Sequence, residues 1–201
     1  MSSPSTIPPP RLITASNLPL SESAATSSHT EPAVEVLVDT LKQEPIPGGS
    51  LVRARVATHE RVPTSNDGSG HSPLADVPAP GIVMPNGVNI YYLDVAPNTE
   101  GVMHRTTSTD YLVVLQGTLS LMTPRTSFDV GGSYGQPAET LCQPGEAVIQ
   151  RGMLHALSNR TDQWVRVLGF VLDSQPNRVP VEAGPSAKQG DSKILQDAWL
   201  A

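Results

Sequence analysis

The sequence predicts an all-β chain: a small antiparallel barrel or sandwich with extra strands before it and a short helix after it. Three observations carry that expectation. Short Val- and Leu-rich segments alternate apolar and polar residues with the period of half-buried strands. The 16 glycines and 20 prolines of the 201 residues punctuate those segments. Charged residues make only 16% of the chain, against about 25% in ordinary soluble domains.

Residues 1–30 are rich in Ser, Thr and Pro and are expected to be mostly disordered, with Arg11-Leu12-Ile13-Thr14 the one stretch able to pair as a strand. Ile7 is the only branched apolar side chain before residue 10, so removing residues 1–9 should leave thermal stability unchanged. Residues 31–87 read as N-terminal strands, near 33–41 and 51–58, followed by a Pro-rich loop from Pro63 to Pro85. Both strands are expected to add to the sheets of the barrel. Residues 88–174 carry the core: Val88–Val95 after an Asn86-Gly87 turn, then Asp110–Leu115, Gly117, Thr118–Met122 and a Gly-rich connector from Thr123 to Glu139. Leu141, Ala147–Ile149, Leu154–Leu157 and Trp164–Leu172 supply the remaining strands. Residues 175–201 form a polar tail. In it Ile194, Leu195, Ala198 and Trp199 have the spacing of one helix face, which predicts a short amphipathic helix.

Composition excludes several function classes. The net charge is -6, with no Lys/Arg cluster longer than a dipeptide, so a basic nucleic-acid surface is absent. One cysteine, Cys142, excludes an intrachain disulfide and any thiolate-cluster metal site. No apolar run approaches 18 residues, and MSSPSTIPPPRLITASN lacks the apolar stretch of an export signal, so no membrane span and a cytoplasmic location are expected. Gly131-Gly132-Ser133-Tyr134-Gly135 matches a nucleophile-elbow pattern, but Pro124 precedes it and Gln136-Pro137 follow where a strand and a helix are required.

The residues that carry chemistry fall into two spaced groups. The first is His104-Arg105-Thr106, three residues, Asp110, six residues, Gly117. The second is Gly145, six residues, Gly152, two residues, His155, three residues, Asn159. On a strand, residues 104 and 106 face one side, Asp110 begins the return strand, and His155 arrives from a distant one. Asn159 is read as fixing the turn after its strand.

These two groups resemble the paired motifs of the cupin superfamily. The second is one residue shorter than the family pattern and lacks its proline. The resemblance covers about residues 88–174 and implies a single jelly-roll-like cupin barrel. The strings around His104–Tyr111 and Val148–Ala156 are similar to a subgroup of small cupin-2 proteins found in bacteria and in fungal secondary-metabolite clusters, some of which are dehydratases or isomerases of polyketide tailoring. Metal-binding cupins present three His and one Glu. Here Thr106 stands for one His and Asp110 for the Glu. His104, Asp110 and His155 would then be the ligands of a weakly bound divalent metal (Fe, Mn or Zn), if any is held.

What the resemblance implies is a small-molecule tailoring enzyme, a lyase or isomerase working by acid–base chemistry. His104 or His155 would be the base and Asp110 its orienting partner. Thr106 would donate a hydrogen bond to substrate, with Tyr92 and Leu112 as further substrate contacts. The alternatives are an Fe(II)-dependent oxygenase using the two-His-one-Asp set and a non-catalytic ligand-binding cupin. A homodimer is expected by analogy with cupin-2 relatives.

Overall fold

The computed structural model describes residues 7–26, 29–129, 135–182 and 190–200; Gly131–Tyr134 of the elbow-like string lie outside them. In chain order the N-terminal strands are β1 (Arg11–Asn17), β2 (Val34–Thr40), β3 (Glu44–Pro45) and β4 (Leu51–His59), with one helical turn, α1 (Glu22–Ala25), between the first two. The central strands are β5 (Val88–Val95), β6 (His104–Arg105), β7 (Ser108–Gln116), β8 (Leu119–Thr123), β9 (Ala138–Cys142), β10 (Ala147–Arg151), β11 (Ala156–Ser158) and β12 (Val165–Asp173). Three short strands follow: β13 (Arg178–Pro180), β14 (Ser192–Ile194) and β15 (Ala198–Trp199). No helix among the described residues is long and apolar enough to cross a membrane.

Two sheets face each other. The larger has the order β10-β7-β12-β5-β4-β3. The smaller has the order β11-β8-β9, and β6 joins it through a bridge between His104 and His155, with β15 paired on the far side of β6. From β5 to β12 the chain changes sheet at every step except the β8–β9 hairpin, the winding of a jelly roll. Gly117 makes one crossing possible. Its φ is +74°, and a Cβ there would sit 2.6 Å from the Trp164 carbonyl oxygen.

Alternation along the strands builds the core. Val95, Val114, Leu119, Val165 and Val167 are wholly buried and pack with Leu93, Leu121 and Cys142 between the sheets. Each such side chain contributes roughly 1.5–3 kcal/mol. Cys142 is a filler of this core. Asn159 closes one end: its Nδ2 donates to the carbonyls of Val95, Ala96 and Gln163, and its Oδ1 accepts from the backbone and hydroxyl of Thr161.

Three expectations are corrected. β4 does extend the large sheet, but β2 pairs only with β1, in a separate two-stranded ribbon, because β1 is available along its whole length. The N-terminal tail is not free from residue 7 onward. Arg166 and Asp94 form a buried two-armed ion pair at 2.6 Å on each arm. The spare valences of this pair reach the tail: Arg166 Nη2 donates to the Pro8 carbonyl at 2.9 Å, while Gln43 bridges Asp94 to the Ile7 carbonyl. Ile7 itself is 6% exposed. The C-terminal segment is extended rather than helical. The open edge of β6 takes Ala198 and Trp199 as ladder partners, and Leu200 donates its N–H to Met103 and packs on Met103, Met122 and Ala156. Sheet pairing outweighs the helical spacing of so short a segment.

Ile7→Ala should therefore lower the melting temperature. The expected loss is about 2 kcal/mol, or roughly 4 °C or more in a chain of this size. Deletion of residues 1–9 should cost at least as much. Thermal unfolding followed by circular dichroism checks both, and an unchanged midpoint in either contradicts the docked tail.

Candidate active site

The two histidines meet as directly opposed residues of an antiparallel pair. His104 N–H donates to the His155 carbonyl at 2.8 Å, and His155 N–H donates back at 2.9 Å. The rings lie 4.5 Å apart, centroid to centroid, tilted by 53°. Each Nδ1 faces a carbonyl two residues earlier: Val102 at 2.9 Å for His104 and Met153 at 3.1 Å for His155. A carbonyl only accepts, so each Nδ1 carries the hydrogen of its bond. Burial, with His104 beside it, pushes the His155 pKa down to about 4, against a small opposing effect of the Met153 carbonyl. His155 is therefore neutral near pH 7. The Trp199 ring stacks on His104 at 6.0 Å and 17°.

Facing them across a cavity of about 420 Å³ are residues of the large sheet: Asp110 and Leu112 of β7, Gln150 of β10 and Tyr91 of β5, with Arg53 of β4. Asp110 is 6% exposed, and burial lifts its pKa from 3.8 to about 6 although the Ser108 hydroxyl pulls it back. Its Oδ1 has no hydrogen-bond partner, nor has the Nε2 of Gln150, the residue directly opposite it in the ladder. Burial, reinforced by Asp110 and opposed by Arg53, raises the Tyr91 hydroxyl, which stays a donor. The ladder partner of Tyr91 on β12 is Gly169, where a Cβ would press on Leu112 Cδ2 at 3.3 Å and meet Tyr91 Cε2 at an ordinary 3.8 Å.

No family model matches the chain. It is 36% identical over 98 residues to the "Phomopsin biosynthesis cluster protein D" of Diaporthe leptostromiformis, covering 48% of this chain and 46% of that one. Against the "Oryzines biosynthesis cluster protein J" of Aspergillus oryzae the identity is 32%, with 48% and 49% covered. Against the "Cupin-domain-containing oxidoreductase srdB" of Neurospora crassa it is 29%, with 48% and 44% covered. Over β5–β12 the chain itself winds as a jelly roll. The match spans about half the length of these curated relatives. Among solved structures, the chain is similar to the polyketide cyclase RemF of Streptomyces resistomycificus at 21% identity, TM-score 0.41, covering 65% of this chain and 72% of that one. A cupin-2 domain of Rhodospirillum rubrum matches at 14% identity, TM-score 0.39, covering 78% and 74%.

The fold brings His104, His155, Asp110 and Leu112 to one cavity. Thr106 is not among the cavity residues. β6 ends at Arg105, so strand alternation does not carry the 104 orientation to 106, and the buried Thr106 hydroxyl pairs with Ser108 at 2.9 Å. Tyr92 also points away; it lies under the Arg166 guanidinium, 5.8 Å from ring centre to Cζ, and Tyr91 takes the inward place. Asp110 is not the partner that orients an imidazole, because backbone carbonyls hold both Nδ1 atoms. Nor does it join them as a metal ligand. Among the described residues no three His, Cys, Asp or Glu side chains gather closely enough to hold an ion, since Asp110 stands on the sheet opposite the histidines. The His104, Asp110 and His155 set does not fit a three-ligand centre. Sequence reasoning missed Tyr91, Gln150, Arg53 and Trp199. The available signal for Tyr91 is alternation along β5, which puts it on the face of Leu93 and Val95.

The two shifted groups pull stability in opposite directions with pH. Asp110 is raised, so the folded state holds its proton more tightly, and its contribution to folding is lost as pH rises from about 4 to about 6. His155 is depressed, so folding gains as pH rises from about 4 to 6.5. Relative to wild type, Asp110→Asn should become progressively more stable across that window and His155→Gln progressively less. Urea midpoints measured from pH 4 to 7 check this; variants that track wild type at constant offset contradict the shifts.

Proposed function

We propose that this chain is a cupin and a tailoring enzyme of secondary metabolism that moves protons on a small, enolisable, oxygenated substrate of the polyketide type, as a dehydratase or isomerase. One observation carries the reading: a buried carboxyl with a pKa near 6 faces a neutral imidazole across a cavity walled by apolar side chains. The names of the fungal relatives, which place them in biosynthesis clusters, support the setting. In a dehydration, the Nε2 of His155 takes the proton from the carbon next to a carbonyl. The electron pair left behind forms the new C=C bond. The C–O bond at the next carbon breaks as the Asp110 carboxylic acid gives its proton to the departing hydroxyl, and water leaves. Proton return from the imidazolium to the Asp110 carboxylate through solvent restores the site. The apolar walls make both transfers effective by excluding competing water.

The experiment is proton exchange in D₂O. The purified cupin is incubated with β-hydroxy ketone and β-diketone probes, and deuterium uptake next to the carbonyl is followed by NMR. Catalysed uptake is expected, with His155→Ala and Asp110→Asn each slowing it roughly 10²–10⁴-fold. Dioxygen consumption with added Fe(II) and no catalysed exchange would replace this reading with the oxygenase. Binding without either would favour a non-catalytic cupin.

A homodimer is proposed as well. Ile13, Val34, Val36 and Val38 form an exposed apolar row on the β1–β2 ribbon, and Tyr111 and Ile149 are exposed side by side on the large sheet. Light scattering at micromolar protein should give twice the chain mass; a monomer contradicts it.

A further inference from the structure

Three buried polar atoms on residues lining the cavity lack a hydrogen-bond partner, Gln150 Nε2, Asp110 Oδ1 and Arg53 Nε, and the first two belong to residues that face each other. Gln150 is 2% exposed and Asp110 6%, yet the Gln150 Nε2 and the Asp110 Oδ1 have no hydrogen-bond partner. Buried amides and carboxyls are almost always paired, and each exception calls for a reason. Here these two exceptions fall side by side. Gln150 and Asp110 are directly opposite each other on β10 and β7, so their Cβ atoms are about 5 Å apart and both side chains line the same cavity. Apolar residues surround them: Leu93, Leu112, Leu157 and Val167. A leucine at 150 would suit those walls better, so an amide there is a liability unless something enters to use it.

We propose that Gln150 and Asp110 together form the recognition site for a 1,3-dioxygenated fragment, a β-hydroxy ketone or an enolised β-diketone. The Gln150 amide donates to the carbonyl oxygen, and the Asp110 carboxyl shares a hydrogen with the second oxygen. Two oxygens on alternate carbons serve both groups at once. A lone ketone serves one and strands the other in an apolar wall, so the site discriminates against it. The polar end of such a ligand is thereby set on the β7–β10 side, with the carbon between its oxygens turned toward the imidazoles. Gln150 acts as a positioning and specificity residue, with no proton of its own to transfer. The inference deepens the acid–base reading of the same cavity and rests on it.

The test compares benzoylacetone, a β-diketone, with butyrophenone, the matching monoketone, by calorimetric titration of the full chain. Wild type should bind benzoylacetone roughly 10-fold or more tightly. Gln150→Leu should bind the two alike, and should melt at or above the wild-type temperature, because an unpartnered buried amide has been replaced by a side chain that suits its walls. His155→Ala should keep the preference while losing proton exchange. Equal binding by wild type overturns the proposal, as does a preference that survives Gln150→Leu. A Gln150→Leu protein that melts several degrees lower or does not fold also overturns it, since Gln150 is then a structural residue. A wild-type preference without any catalysed exchange leaves the recognition site standing and removes the acid–base reading instead.

Discussion

The reciprocal backbone pairing of His104 with His155 is the constraint on which the site depends. Opposed residues of an antiparallel ladder must present their side chains to the same face, so two histidines far apart in sequence become neighbours without help from each other. A slip of one residue would turn one ring out of the cavity. The register is held from both sides. Thr99 pairs with Asn159 further along, where the Asn159 side chain ties three carbonyls, and β15 lies on the other edge of β6 with Trp199 opposite His104. The Gly145–Asn159 spacing matters because it delivers His155 and this clamp together.

Across the cavity, β7 shows how one strand serves both stability and chemistry. Val114, Leu112 and Asp110 share a face; the first is in the apolar core, the second walls the cavity, and the third is its acid. The same apolar surroundings act on both sheets. Burial raises the carboxyl to about 6 and lowers the imidazole to about 4, which inverts their usual order. Between those values the favoured state is a protonated carboxyl facing a neutral imidazole, an acid and a base coexisting without charge. Ionised groups this deeply buried would be costly, and inversion is the response that avoids the cost.

The all-β class is legible from alternation along the strands, motif spacing singles out His104, Asp110 and His155, and the jelly-roll winding follows from the cupin resemblance that those motifs carry. The failures have physical causes. Strand parity puts Thr106 beside His104, and it fails because β6 stops at Arg105; along β5 parity holds and sets Tyr91, not Tyr92, on the inward face with Leu93 and Val95. The C-terminal helix was read from spacing alone, and the unpaired edge of β6 overrode it. The docking of Ile7 depends on a buried Arg166–Asp94 pair that no local pattern near residue 7 announces. Gln150 lay inside a recognised motif, but its unpartnered amide exists only in three dimensions.

The central claim is that between about pH 4 and 6 this cavity holds its acid protonated and its imidazole neutral. Carbon-13 NMR of the Asp110 carboxyl, with the His155 ring followed in parallel across pH 3 to 8, measures it directly. The account requires Asp110 to titrate near 6 and His155 near 4. Asp110 titrating near 3.8 with His155 near 6.5 would contradict it.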